Sequence, residues 1–306
     1  MSVLVICGAT ATGKSDLAVE IALEIGAEIV NADSMQLYRG MDIGTAKISV
    51  ADRKGIPHNL LDVLDVKEDA SVAWYQTRAR EVIAEIESRG NHALIVGGTG
   101  LYIKAILDDL NFPDTNPAIR VELEMQASEI GLPAMHAKLA DLDPAAGLAI
   151  DAKNLRRVIR ALEVIKITDK PFTANLPRKE STRYPDAHQF GLVMERENLG
   201  ERIDARVEKM WEQGFVAEVE ELLELGITHG RTAQLALGYS QIIKYLTGDM
   251  TEDQAKEETK RATRQYARRQ ETWFSRDERI QWISLNQPRK RVILEKFSQP
   301  ASSADL

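Results

Sequence analysis

Residues 3–26, VLVICGATATGKSDLAVEIALEIG, constrain the fold more than any other stretch of this chain. A β-branched apolar run leads into Gly8-Ala9-Thr10-Ala11-Thr12-Gly13-Lys14-Ser15, and an amphipathic helix follows. This is G-x-x-x-x-G-K-S between a strand and a helix, the pattern of a loop whose backbone N–H groups cradle phosphate. The helix N-terminus adds a positive dipole end, Lys14 a full charge and Ser15 a hydroxyl ligand for Mg²⁺. A Gly-rich turn with a chance lysine would leave Ser15 unexplained.

Further strand signals occur at 27–33 (AEIVNAD) and 92–98 (HALIVGG), and helical periodicity fills 14–25, 72–89 and 101–109. Such alternation predicts βαβ units on a parallel sheet. The fold expected is α/β: a P-loop-type parallel core flanked by helices, with an inserted helical domain. Residues 1–112 form the first part of the core and 113–189 the insert. Residues 117–168 read as helices broken at Gly131 and Pro144, and 170–189 as a loop rich in Pro, Ser and Thr. Residues 190–290 return to the core, with helices over 199–225 and 251–274 and an edge strand at 280–285. Residues 291–306 form a tail, expected to be disordered from 297 onward.

The third strand ends in Gly97-Gly98-Thr99-Gly100, where a P-loop hydrolase would carry a metal-binding acid. Glycines there let a backbone approach a ligand, and Thr99 offers a hydroxyl. The acid stands instead at Asp33, at the carboxyl end of the second strand. Ligands of doubly wound sheets bind along that edge. From position alone Asp33 could accept a proton, bind substrate or hold metal, and Gln36 and Thr45 follow close behind it.

The five histidines lack ligand spacing, and the single cysteine, Cys7, reads as a small buried core residue of a protein in reducing cytoplasm. No run approaches the ~20 apolar residues of a membrane span. A net charge of −8 argues against nucleic acid, but local clusters argue for it. Residues 256–276 hold seven basic residues against three acidic ones, and 153–160 read KNLRRVIR. Each cluster is either a solvated helix face or a surface for a polyanion.

GATATGKS, NADSMQLYRGMDIGTAK, VGGTGLYIKAIL and RRVIRALEV, in this order and spacing, resemble the bacterial tRNA dimethylallyltransferases over about residues 3–285. The resemblance implies transfer of a dimethylallyl group from dimethylallyl diphosphate to N6 of the adenine 3′-adjacent to the anticodon. It implies Gly8, Ala9, Thr10, Ala11, Thr12, Gly13, Lys14 and Ser15 as diphosphate-binding residues, with Mg²⁺ as cofactor on Ser15. It further implies Asp33 as the base, with Thr99 and Arg206 acting on the diphosphate. Contacts to tRNA fall on Asp33, Ser34, Met35 and Gln36, on Arg156, Arg157, Val158, Ile159 and Arg160, and on Gln234, Gly238 and Tyr239. The helical insert is the expected tRNA-contacting domain, reading the anticodon stem-loop. A monomer away from membranes is expected. Ala9 and Thr12 stand where the family usually has Pro and Ser, and the cysteines of the eukaryotic zinc finger are missing. Two rival activities share parts of the pattern: prenylation of free AMP, ADP or ATP, and a small-molecule kinase.

Overall fold

A computed structural model describes residues 2–113, 115–175 and 182–298. Six strands form one parallel sheet: β1 (Val3–Gly8), β2 (Ala27–Asn31), β3 (His58–Asn59), β4 (His92–Gly97), β5 (His188–Val193) and β6 (Ile280–Ser284), in the order β3-β2-β4-β1-β5-β6. Helices cover both faces, which is why the central strands are apolar throughout. The period of two divides β1 cleanly. Val3, Val5 and Cys7 enter one core, and Leu4 and Ile6 enter the other. In β4, Ala93 and Ile95 join the first core, and Leu94 and Val96 the second.

Helix α1 (Lys14–Ile25) places Leu17, Ala18, Ile21 and Ala22 in the second core. Helices α2 (Val72–Ser88) and α3 (Gly100–Leu107) belong to the first. The sheet edge that ends β1, β2 and β4 therefore gathers the phosphate loop, Asp33 and the Gly97-Gly98-Thr99 turn, with β4 between the other two strands.

Residues 108–183 form a separate compact unit. It consists of α4 (Pro117–Ile130), α5 (Leu132–Leu142), α6 (Pro144–Ala149) and α7 (Leu155–Thr168), followed by a 3-10 turn over Phe172–Asn175. Its core is built from Leu123, Met135, Leu139, Val158, Ile159 and Leu162. Residues 176–181 of the expected loop lie outside the described residues, and β5 has begun by His188.

The helix expected over 199–225 is two helices, α8 (Arg196–Glu212) and α9 (Phe215–Glu224). Gly214 parts them with a left-handed φ of 93°, which a glycine adopts without a steric penalty. Next come α10 (Tyr239–Leu246), which the sequence reading missed, and α11 (Glu252–Phe274). The tail expected from 291 is corrected as well. Arg289–Phe297 form a twelfth helix, α12, because Ile293 is buried in the second core beside Val292, Leu294 and Phe297. Lys290 pairs with Glu24 of α1 at 2.9 Å. The residues after Ser298, where disorder was expected, lie outside the described residues.

One buried charge organises the helical unit. Glu163 on α7 is 0 % exposed, and its Oε2 accepts from Arg120 Nη2 at 2.6 Å and Arg160 Nη1 at 2.9 Å. Its Oε1 accepts from the Asn116 N–H at 3.0 Å. Burial pushes its carboxyl up, but the hydrogen bonds from Arg160, Arg120 and Asn116 outweigh that and hold it below the usual range. A depressed carboxyl contributes stability that is present above its unfolded pKa of roughly 4.3 and lost as pH falls through its lower folded value. Glu163→Gln is expected to reduce the protection of α4 and α7 amides against hydrogen exchange by the equivalent of about 2–3 kcal/mol at pH 7. It should also flatten the loss of that protection below about pH 4.3. Equal protection in wild type and variant would show that the triad contributes nothing net.

Candidate active site

The phosphate loop is fixed from three sides. Gly8 has φ 132°, and a Cβ there would lie 2.6 Å from the Leu192 carbonyl oxygen of β5, so no side chain fits. Within the loop, the Ala9 carbonyl accepts from Thr12 Oγ1 at 2.8 Å and from Lys14 Nζ at 2.6 Å. From α11, the Gln270 carboxamide accepts from the Thr10 N–H at 2.9 Å and donates to the Gly98 carbonyl at 2.8 Å. It thus ties the loop after β1 to the turn after β4. Gly8, Ala9 and Thr12 shape the loop, while Thr10, Ala11, Gly13, Lys14 and Ser15 line a cavity of about 300 Å³.

Asp33 stands across that cavity. Its N–H donates to Asn31 Oδ1 at 2.9 Å, and its Oδ1 accepts from the Met35 N–H at 3.0 Å. Asn31 Nδ2 in turn donates to the Asp33 and Leu60 carbonyls at 3.0 and 2.9 Å. The carboxylate is therefore clamped on a short turn rather than free to swing. Burial raises its pKa, with the Met35 N–H and the Lys14 charge pulling the other way. Arg206 on α8 reaches the same space and donates to Thr10 Oγ1 at 3.3 Å.

A second cavity of about 310 Å³ adjoins the first, and the two share Thr10, Asp33, Thr45, Ala46 and Arg206. Ser34, Met35, Val207, Leu235, Tyr266 and Arg269 line its far part. Burial together with the Asp33 charge pushes the Tyr266 phenol up to about 12, with Thr99 and Gln270 opposing the rise. The site is thus a polar anion pocket and a mixed aromatic–apolar pocket that meet at one carboxylate.

Several residues singled out in the sequence sit differently. Thr99 lines neither cavity; its hydroxyl accepts from the Ser34 N–H at 3.1 Å, so it supports the Asp33 turn. Gln36 donates to the Thr45 carbonyl at 3.1 Å and lines the anion pocket. Tyr239 is 0 % exposed on the outer surface, its hydroxyl donates to Glu218 at 2.6 Å, and it lines the second cavity. Glu218 also accepts from the Asp42, Ile43 and Gly44 N–H groups and thereby holds the 41–46 loop. Gly238 is buried, with Phe215 where a Cβ would stand, and Gln234 is bonded to the Thr228 and Gly230 carbonyls.

The basic clusters divide in the same way. Val158 and Ile159 are core residues, so they present no side chain to RNA. Arg160 is engaged by Glu163 and by the Pro113 carbonyl, whereas Arg156 and Arg157 are exposed. On α11, Lys256 and Lys260 pair with Glu208, Arg261 with Glu258, and Arg264 with Asp204.

The sequence reading missed Gln270, Tyr266 and Glu218, and held Arg269 only as one of the basic residues of 256–276. Gln270 left a signal: it is a polar residue on the buried stripe of Ala255, Thr259, Ala267 and Phe274. Among the described residues, no group of three or more His, Cys, Asp or Glu side chains could hold a metal, and no helix is long and apolar enough to cross a membrane.

The family model for IPP transferase matches residues 36–277. The tRNA dimethylallyltransferase of Thermobifida fusca is 53 % identical over 292 residues, covering 94 % of this chain and 91 % of its own. That of Streptomyces griseus is 52 % identical, covering 92 % and 89 %. The crystal structure of the full-length tRNA isopentenylpyrophosphate transferase of Bacillus halodurans superimposes with TM-score 0.72 at 39 % identity, covering 97 % of this chain and 94 % of that one. A eukaryotic dimethylallyltransferase acting on tRNA shares the fold at TM-score 0.81 and 24 % identity.

Burial pushes the Lys14 ammonium down to about 8, with Asp33 opposing the fall and Arg206 adding to it. Below that pH the lysine carries its charge, and as pH rises through it the charge is lost. An anion bound in the loop restores the charge and must take up a proton to do so. Sulfate, which does not titrate in this range, is expected to bind progressively more weakly above pH 8, approaching tenfold per pH unit. Lys14→Met should remove that dependence. A wild-type sulfate affinity that stays flat from pH 7 to 9.5 would sink the assignment.

Proposed function

The chain belongs to the IPP transferase family, and on that premise we propose that it transfers the dimethylallyl group of dimethylallyl diphosphate to N6 of the adenine 3′-adjacent to the anticodon in tRNA, releasing diphosphate. The observation that carries this reading is the meeting of two pockets at Asp33, one lined by the phosphate loop and the other by Met35, Leu235 and Tyr266.

The chemistry follows from the groups at that junction. Departure of diphosphate from an allylic carbon develops negative charge on oxygen. The loop amides, Lys14 and Arg206 are fixed positive groups aimed into the pocket where that charge appears. Adenine N6 is a weak nucleophile because its lone pair is conjugated with the ring. A carboxylate that takes the N6 proton as the C–N bond forms corrects this, and the raised pKa of Asp33 makes it a better base. Its Met35 and Asn31 hydrogen bonds hold it in place for that transfer.

The adenine must leave its stack to reach a half-buried acid, which costs a few kcal/mol and less in a loop than in a duplex. Tyr266 and Met35 are available to face the extruded base. Ser15 would hold Mg²⁺ together with diphosphate oxygens, since a hydroxyl beside phosphates is a donor set of the hard-oxygen kind that this ion takes. When bound, the ion would neutralise part of the diphosphate charge. Exposed Arg156 and Arg157 are the residues of the helical unit proposed to meet tRNA phosphates.

Labelled dimethylallyl diphosphate, Mg²⁺ and unmodified tRNA should yield labelled N6-dimethylallyladenosine in digested tRNA. Label found only in added AMP or ATP would transfer the assignment to a mononucleotide prenyltransferase. Asp33→Asn should lower turnover by roughly 10²–10⁴-fold with dimethylallyl diphosphate binding intact, the range for a general base. Turnover within a few-fold of wild type would remove Asp33 from the reaction.

Each phosphate contact on single-stranded RNA adds about −0.7 to the slope of log affinity against log salt. Arg156→Ala combined with Arg157→Ala should therefore flatten that slope by roughly 1–1.5 units without changing the KM for dimethylallyl diphosphate. An unchanged slope would mean that both arginines are only solvated.

A further inference from the structure

Four cations surround the phosphate loop, and only Lys14 and Arg206 have been given a task. The other two are Arg202 on α8 and Arg289 at the start of α12. A carbon at the Cβ position of Gly13 would lie 3.7 and 3.9 Å from the two Arg289 Nη atoms and 3.9 Å from Arg202 Nη2. Arg289 Nη1 donates to the Thr12 carbonyl at 2.9 Å, which steers the guanidinium against the loop. Neither Arg202 nor Arg289 forms an ion pair with a carboxylate among the described residues. By contrast, their neighbours Lys290 and Arg291 pair with Glu24 and Glu295. Unpaired guanidinium groups at one loop repel each other, and an anion between them relieves that cost.

Arg289 is also held rigidly. Ile293 of α12 is 0 % exposed in the core shared with Leu17 and Ile21 of α1, and Phe297 packs edge-on against His92 and His188. The helix lies beyond residues 36–277, the span matched by the family model.

The geometry points to Arg289 as a further diphosphate-binding residue of this chain, taking the terminal phosphate, the one remote from the prenyl carbon. Arg206 shares its cavities with Asp33, where the C–O bond breaks, and so faces the proximal phosphate. Arg289 and Arg202 stand at Gly13, on the rim of the loop. This inference rests on the reading of the loop as a diphosphate site.

The test compares two ligands. In dimethylallyl monophosphate the prenyl chain keeps the single phosphate at the proximal position. Arg289→Ala should raise the KM for dimethylallyl diphosphate roughly tenfold or more, as loss of one charge-assisted hydrogen bond does. The inhibition constant of dimethylallyl monophosphate, the KM for tRNA and the melting temperature should stay as in wild type. Arg289→Lys, which keeps the charge, should recover part of the loss. If the variant weakened both ligands equally, Arg289 would act by shaping the loop through the Thr12 carbonyl, and the inference would be overturned. Unchanged affinity for both would overturn it as well. If wild type bound neither ligand, the diphosphate reading of the loop would fail along with it.

Discussion

The carboxamide of Gln270 is the contact on which the site depends. Two backbone turns, one after β1 and one after β4, must be held at a fixed separation for an anion pocket to exist between them and Asp33. Hydrogen bonding within the sheet ends at the strand termini and cannot do this. Gln270 reaches both turns with one side chain, accepting from the Thr10 N–H and donating to the Gly98 carbonyl. It does so from the buried stripe of α11, where its neighbours are apolar and its orientation is fixed by packing. A buried amide with both ends satisfied rigidifies what it joins.

Around this joint the electrostatics are arranged in opposition. The cavity floor holds one carboxylate whose proton affinity is raised by burial and one ammonium whose proton affinity is lowered by it. Each moderates the other, so the lysine still carries charge for an anion while the acid remains basic enough to take a proton. Arg206 adds a third charge through a hydroxyl of the loop itself. Water cannot supply such a set, because its dipoles must reorient as charge moves, whereas these groups are already in place.

Much of the surrounding machinery is support rather than contact. Glu218 gathers three consecutive backbone N–H groups of the 41–46 loop and the Tyr239 hydroxyl, and the loop in turn supplies Thr45 and Ala46 to both cavities. Thr99 does for the Asp33 turn what Gln270 does for the phosphate loop. In the helical unit, Glu163 collects Arg120 and Arg160, so one arginine of a basic run serves the core.

What the sequence determined by itself was local in origin. The phosphate loop, the acid at the end of β2 and the glycine turn after β4 are each written in a short run of consecutive residues, and the alternation of strands and helices runs along residues 3–109. Their meaning depends on backbone geometry that those residues impose alone. The tertiary structure decided which side chains are available. Arg156 and Arg160 look alike in the run KNLRRVIR, yet one is exposed and the other is engaged by a buried glutamate. The hydroxyl of Tyr239, expected among the tRNA contacts, is taken up by Glu218, twenty-one residues away. Arg289 reads only as a residue after the last strand, at the border of the expected tail, until packing of Ile293 on α1 brings it to the phosphate loop, 277 residues distant in sequence from the carbonyl it contacts. Burial and charge pairing are properties of neighbours in space, and no stretch of sequence contains the neighbours that folding will bring.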